Sequence, residues 1–192
     1  MSAENKIGAK VCQLREAKQM TVEELAEQSH CHVDQILQIE NGDLVASLTP
    51  LMEISRALGV RLGTLLDDDP QEGPVVFNAE KSPNVIRFSG KDPSATSSNL
   101  DFHSMGAGKS DRHMEPFVID VKPRAGEAPP LSAHEGEEFI FVLSGAIQIN
   151  YGKTTYELEE GESIYYDSVV PHDVHARGDE KARILAVIYA PC

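Results

Sequence analysis

The residues best suited to chemistry in this chain are two histidines and a glutamate. His134 and Glu138 stand four apart in the run SAHEGEEFIFVLSG. If both lie on one strand, whose side chains alternate between faces, they leave the same face. Ile140 and Val142 share that parity, so the face carrying the polar pair is otherwise apolar and belongs inside a barrel. A second run, GESIYYDSVVPHDVH, sets His172 at the end of a strand-turn element. Two histidines with one carboxylate form the facial set that suits iron(II) and other divalent ions. The expectation is one divalent ion, Fe, Zn, Ni or Mn, on His134, Glu138 and His172, with Ser132, Ile140 and Val142 lining a pocket beside it. Spacing alone does not bring His172 to the other two, and a hydrogen-bonded polar cluster around a metal-free ligand pocket is the alternative. His175 has the opposite parity to His172 and is expected at the surface or rim. His103 and His113 precede the first run and are not assigned to the site. The triplet His30-Cys31-His32 is a poor metal site, because three adjacent residues cannot all point at one ion.

Positioning such a set requires a sheet, and the second half of the chain reads as one. Short runs rich in β-branched and aromatic residues, VIRF, PFVIDV, EFIFVL, AIQINY, SIYY and RILAVIYA, are separated by turn signals at Ser144-Gly145, Tyr151-Gly152-Lys153 and Glu160-Gly161. Many short strands at close spacing indicate an antiparallel barrel or sandwich. The first third is helical instead. Ile7, Val11 and Leu14 recur at helical spacing. Thr21 and Glu24 form an S/T-x-x-E capping box, with Met20 and Leu25 placed for a hydrophobic staple. A third helix is predicted over Val33 to Glu40, stopped by Asn41-Gly42. Ser47 or Thr49 can cap a fourth that tolerates Pro50 in its first turn and ends at Gly59, and Leu62 to Leu66 forms a short fifth. Between the halves, DDDPQEGP cannot propagate a helix and marks the domain boundary. The polar segment KDPSATSS at 91 to 98 reads as a loop.

The chain of 192 residues carries a formal net charge of −14. Residues 1 to 66 hold six Lys/Arg against nine Asp/Glu, 67 to 99 three against six, and 100 to 192 eight against sixteen. No region has the cationic surplus of a strong nucleic-acid binder. Any DNA contact must come from a few placed groups on a dimer. No stretch approaches the run of about 18 apolar residues that a membrane span needs, and the N-terminus lacks a signal-peptide core. Three widely spaced cysteines, Cys12, Cys31 and Cys192, form no CxxC pair. A cytoplasmic protein without structural disulfides or membrane contact is expected.

A capped helix at 21, a three-residue turn and a second helix at 33 form the arrangement that offers a recognition helix to the major groove. The stretch LREAKQMTVEELAEQSHCHVDQILQIENG, followed by SLTPLMEISRALGVRLGTLL, resembles the Xre helix-turn-helix of the lambda-repressor type over residues 7 to 66. That resemblance implies a five-helix DNA-binding domain in which Thr21 approaches a phosphate and Val33, Asp34, Gln35 and Gln38 face the groove. Gln can pair both edges of adenine, and Asp34 could only accept from cytosine. The chain departs from the pattern at His30, where glycine is usual, at His32, where a Ser/Thr cap is usual, and at Leu37, where serine is frequent.

The second half resembles a cupin over residues 99 to 192. Gly126, His134, Glu138 and Gly145 match the first cupin motif, and Gly161 with His172 match the second. Ser132 stands where the first motif has another histidine, Asp167 and Val169 replace the second motif's Pro and Gly, and Ala176 replaces its Asn. The implied fold is multidomain α + β: the five-helix domain at 7–66, a linker with leading strands at 67–98, and an antiparallel cupin barrel, a double-stranded β-helix or jelly roll, at 99–192. The implied function is a transcriptional regulator. A homodimer or higher homo-oligomer would read an inverted-repeat operator, and the cupin would sense a small-molecule effector, with or without metal. The alternative is an iron-dependent oxygenase. Hydroxypropylphosphonate epoxidases join the same two modules and hold iron through His, Glu and His at these motif positions. In them tyrosines and cations hold the phosphonate, whereas NLDFHSMGAGKSDRHMEP has no Tyr and only Lys109 and Arg112 as cations.

Overall fold

The computed structural model describes residues 3–43, 48–67, 73–78, 85–87, 99–109, 112–123 and 131–190. The helical part comprises α1 (Ala3–Ala17), α2 (Val22–Gln28), α3 (Val33–Glu40), α4 (Leu48–Ala57) and α5 (Leu62–Leu66). The capping box at the start of α2 is complete. The Glu24 N–H donates to Thr21 Oγ1 at 3.1 Å, and the Thr21 N–H donates to the Glu24 carboxylate at 2.8 Å. The turn into α3 passes through His30 at φ 54°, the left-handed conformation that glycine adopts more cheaply. His32 precedes α3 without a side-chain cap. Pro50 sits in the first turn of α4, where its missing N–H costs no helical bond. Ser47 lies outside the described residues, as do most of the acidic boundary segment, the 91–98 segment, Gly126 and Cys192.

Val11, Leu25, Ile36, Ile39, Leu51, Ile54, Leu58 and Leu65 form the buried centre of the helical part. A second tie is ionic. Arg15 of α1 grips Glu40 at the end of α3 through two hydrogen bonds of 2.7 and 3.0 Å and also donates to the Met20 carbonyl. The side chains of Arg15 and Glu40 are largely buried. This fixes α1 against α3.

The strands are β1 (Val85–Arg87), β2 (Leu100–Ser104), β3 (Met114–Val121), β4 (Glu137–Ser144), β5 (Ala146–Tyr151), β6 (Thr154–Glu159), β7 (Ser163–Asp167), β8 (His172–Ala176) and β9 (Ala182–Tyr189). They form a sheet of order β1-β2-β3-β9-β4-β7 and a smaller one of order β6-β5-β8, with antiparallel pairing throughout. Alternate residues of both sheets, Phe117, Ile119, Ile140, Val142, Ile147, Ile149 and Ile184 among them, turn into a common core. The parity expected for Glu138, Ile140 and Val142 is observed, since all three are buried on one face of β4. His134 differs from the expectation. It precedes β4 instead of lying on it, because Gly136 at φ 112° turns the chain there. A Cβ on Gly136 would come within 2.0 Å of the Tyr189 carbonyl oxygen, so no other residue fits this turn unchanged.

Helices meet sheets through a small buried charge cluster. Arg112, just before β3, donates to Glu115 at 2.7 Å and pairs with Asp67 at the end of α5. Glu115 also accepts the Gly63 N–H of α5 at 3.1 Å. A Cβ on Gly63 would lie 2.7 Å from the Arg112 guanidinium, so glycine is what lets the helix approach this closely. Burial raises the Glu115 carboxyl and Arg112 pulls it back, leaving it above its usual value. The side chains of Arg112, Asp67 and Glu115 are all under a tenth exposed. A second link, Arg56 of α4 to Glu135 at 3.0 Å, has both partners more than 40% exposed and contributes little. Removing one partner of a buried cluster costs about 3–5 kcal/mol. Arg112→Ala is therefore expected to lower the melting temperature by on the order of 10 °C, and Arg56→Ala by far less. Calorimetry of the two variants checks this; equal small shifts would place the weight of the junction elsewhere.

Candidate metal centre and nucleic-acid interface

Three segments bring the chemical residues together. Glu138 projects from β4 directly opposite Tyr166 of β7. His172 opens β8, which belongs to the other sheet, so the centre straddles the core between the two. His134 arrives on the loop before β4, and that loop is strapped to the approach to β8. Ser132 and His172 exchange backbone hydrogen bonds of 2.9 and 2.8 Å, the His134 N–H donates to the Ser168 carbonyl at 3.0 Å, and the Ser168 N–H donates to the Gly136 carbonyl at 2.9 Å. The pairing that spacing left open between His172 and the first run is thus made by main-chain bonds.

The three side chains converge. Glu138 Oε1 lies 2.8 Å from His134 Nε2 and 3.3 Å from His172 Nε2, and one ligand atom from each residue lies within 4.8 Å of the others. All three residues are buried, at 3–7% exposure. The far nitrogens explain the orientation. His134 Nδ1 sits 3.2 Å from the Glu135 carbonyl and His172 Nδ1 sits 2.8 Å from the Val170 carbonyl. A carbonyl oxygen can only accept, so each Nδ1 carries its proton. Once its Nε2 proton leaves, each ring can present the Nε2 lone pair to the centre, the arrangement common to metal-bound histidines.

Burial alone would drive Glu138 toward its neutral form. The hydrogen bonds and positive charge of His134 and His172 outweigh that and hold the carboxyl well below its usual range. Burial likewise lowers His172, but the Glu138 carboxylate more than compensates and leaves it above its ordinary value. Without an ion, the imidazoles serve as counter-charge to the carboxylate. A divalent cation would serve the same purpose with all three donor atoms already aimed inward, so the residues present fit such an ion.

Sequence reasoning missed Tyr166 and Ser168. The Tyr166 hydroxyl donates to Glu138 Oε2 at 2.7 Å, and Ser168 Oγ lies 3.4 Å from Oε1. Burial and the adjacent carboxylate push the Tyr166 phenol far up, so it remains a donor. It holds one carboxylate oxygen and leaves the other to the imidazoles. Its ring also packs 5.0 Å from His172 and 5.3 Å from Tyr151. The signal was present in the parity of β7, but two adjacent tyrosines conceal which one turns inward. Ile140 and Val142 are fully buried in the core beside the centre. The Ser132 hydroxyl donates to the His172 carbonyl at 3.3 Å, which braces the strap. His175 pairs with Asp173 and His103 with Asp120, both away from the centre, while His113 is exposed near the junction of the two parts.

On the helical side, Asp34 and Gln38 are exposed on α3 and Gln35 is half-buried. Leu37 stands 41% exposed on the same helix. Val33 packs partly against the helical core, so only part of its side chain is available to a groove. Thr21 is exposed, yet its N–H and hydroxyl are both engaged by Glu24. Glu23 and Glu24 occupy the first turn of α2, where a phosphate would otherwise approach the helix N-terminus.

Comparison with known proteins matches the same two halves. Residues 10–71 match the Cro/C1-type HTH DNA-binding domain, and residues 117–188 match the cupin domain. The chain joins a Cro/C1-type helix-turn-helix domain to a cupin domain. Over 160 residues it is 28% identical to the (S)-2-hydroxypropylphosphonic acid epoxidase of Streptomyces wedmorensis, covering 77% of this chain and 76% of that protein. An HTH_3 family transcriptional regulator from Vibrio cholerae superposes with a TM-score of 0.71 at 21% identity, covering 98% of this chain and 97% of the regulator, and so shares its fold. An iron(II) form of HppE in complex with substrate gives a TM-score of 0.51 at 25% identity over 98% of this chain and 100% of that one. No described helix is long and apolar enough to cross a membrane.

Two outcomes follow for the His-Glu-His centre. A metal must displace the proton that His172 retains to a higher pH than an ordinary histidine, so affinity should fall as pH drops through that raised value and level off above it. Glu138 is already ionised there and adds no slope. Competition titrations with a chromophoric chelator from about pH 6 to 9 test this, and a flat profile would contradict it. Tyr166→Phe should keep the ion but weaken its binding by about 10- to 100-fold, whereas His134→Ala should abolish stoichiometric binding; metal analysis after dialysis separates the two.

Proposed function

We propose that the protein is a cytoplasmic, homodimeric transcriptional regulator. It reads an inverted-repeat operator through Thr21, Val33, Asp34, Gln35 and Gln38, and it senses a small ligand in a cupin pocket built around a divalent ion on His134, Glu138 and His172. The observation that carries this reading is the junction of the two domains. Met52, Arg56 and Leu62 of the helical domain line one pocket together with Arg112, His134 and Glu135 of the cupin. A change at His134 therefore abuts α4 and α5, which pack on α2 and α1, the helices that in turn hold α3. When bound, a divalent ion would supply a Lewis acid able to ligate an oxygen or nitrogen donor of the effector. Ile140 and Val142 supply the apolar floor, and Tyr166 keeps Glu138 oriented.

A second reading, an iron-dependent oxygenase or epoxidase with the helical domain as scaffold, is favoured by the two inward-facing Nε2 atoms and one carboxylate oxygen and by the 28% identity to the Streptomyces epoxidase. Against it stands the cation supply. Arg112 is held between Asp67 and Glu115, which leaves it poorly placed to bind a phosphonate.

Mobility shifts on the protein's own upstream region test the first reading. A specific complex at about 50 mM salt is expected, weakening steeply toward about 200 mM. Gln38→Ala should cost roughly 5- to 100-fold in affinity for that site, the worth of one bidentate base contact, with little change on unrelated DNA. Absence of a specific complex from folded dimer, together with stoichiometric iron and substrate-dependent oxygen uptake, would favour the second reading instead.

A further inference from the structure

The outward face of the larger sheet does not look like a surface that meets water. Strands β4 and β9 are apolar on both faces. Ile140, Val142, Ile184, Ala186 and Ile188 turn inward and are buried, while the residues between them turn outward and remain half-exposed. The strand registers place those outward residues side by side. Phe141 of β4 neighbours Leu185 of β9, which neighbours Val118 of β3; one step along, Tyr165 of β7 neighbours Phe139, which neighbours Val187. The Phe139 and Tyr165 rings lie 6.4 Å apart. Sheets with one solvated face alternate apolar with polar residues, and near-continuous apolar strands mark sheets covered on both faces. The helical domain reaches the sheets at the Met114 and Tyr189 end, through Gly63, Arg112 and Glu115, rather than lying across this face.

Size and shape select the occupant. Two apolar rows, about 7 Å apart along four strands spaced about 4.8 Å, give an apolar footprint of roughly 250–300 Å2. That is comparable to the largest apolar patch a monomer exposes, a size that is often functional, and it would form the centre of an interface burying about 800 Å2 per partner. A twisted sheet packs best on another of the same twist, with the two strand sets nearly aligned. A second copy of this chain offers that surface. The rim allows it: along the strands one end carries Arg183, paired to Asp120, and the other carries the acidic Glu137 and Asp167. A two-fold axis across the strands sets each end of one copy against the opposite end of the other. We infer that the outward face of β3, β9, β4 and β7 is the face through which two copies of this chain associate. This deepens the dimer invoked in the regulator reading and rests on it only for its use, because association is measured without DNA.

The experiment is light scattering on the full chain with size-exclusion chromatography. The wild type is expected at twice its 21.0 kDa mass, and Phe141→Glu with Leu185→Glu should run at the chain mass while keeping the wild-type circular dichroism and metal content. Should that pair fail to fold, Val187→Ser alone should weaken association at least tenfold. A second arm uses Leu185→Cys, in a background with the native cysteines replaced by serine, and a short bis-maleimide; a covalent dimer is expected because β9 lies at the centre of the patch. A monomeric wild type, or a dimer that survives the glutamates, would overturn the inference. So would a wild-type dimer in which Leu185→Cys does not cross-link, since the patch would then face another surface. A failed mobility shift from a protein that is dimeric through this face would sink the regulator reading and leave the interface standing.

Discussion

A carboxylate at the centre of an apolar core is the constraint around which the cupin domain is arranged. Glu138 is 7% exposed, and an uncompensated charge there would either take up a proton or destabilise the fold by several kcal/mol. The chain retains the charge and surrounds it. His134 and His172 face one oxygen, and Tyr166 donates to the other. Each of these partners needs its own support. The Glu135 and Val170 carbonyls fix the imidazoles, and the two segments that carry them are strapped by the Ser132–His172 and Ser168–His134 backbone bonds. The register of β4 on β7, which sets Tyr166 opposite Glu138, belongs to the same requirement. A one-residue slip would turn Tyr166 outward and put every other side chain of β7 on the wrong face.

The second buried charge cluster has a different use. Arg112, Asp67 and Glu115 sit where a hydrophobic contact would have held the domains together equally well. Ionic contacts add geometric definition. Arg112 approaches Gly63 so closely that α5 has little freedom to slide, and Glu115 registers the helix by accepting its backbone N–H. The chain that follows Arg112 is β3, which pairs with β9, which pairs with β4. The path from Glu138 to the helical domain is therefore short and stiff, running through paired strands and one buried ion cluster.

Much of this was legible in the sequence, and what was not has a physical reason. The capping box at Thr21 and the bounds of α3 follow from local rules, because helix ends are decided by hydrogen bonds between residues a few positions apart. The inward parity of Glu138, Ile140 and Val142 is local in the same sense. His134 departed from the strand parity because Gly136 turns the chain, and a glycine between two candidate ligands does not announce its conformation. Tyr166 and Ser168 escaped because their role depends on which strand lies beside β4, a non-local fact that periodicity does not carry. The resemblance to the cupin motifs supplied the meeting of His134 with His172; the straps that enforce it became visible only in three dimensions.

The helical domain shows how local perfection limits function. The capping box that makes α2 start cleanly places Glu23 and Glu24 where a phosphate would approach, and Arg15, one of six cations in the first 66 residues, is held by Glu40. In the proposed regulator a single such reader would gain little from the DNA backbone, and bivalent attachment would supply most of its affinity. Bivalent attachment depends on the separation and angle of two readers, because half-sites lie one helical turn apart. In the dimer inferred through the cupin sheets, those quantities would be set at the Arg112 junction. A weak reader is then an advantage for control. In the proposed regulator, an effector that biased the junction by the 1–3 kcal/mol typical of allosteric coupling would change occupancy of the operator by one to two orders of magnitude, while a strongly cationic domain would stay bound whatever the pocket contained.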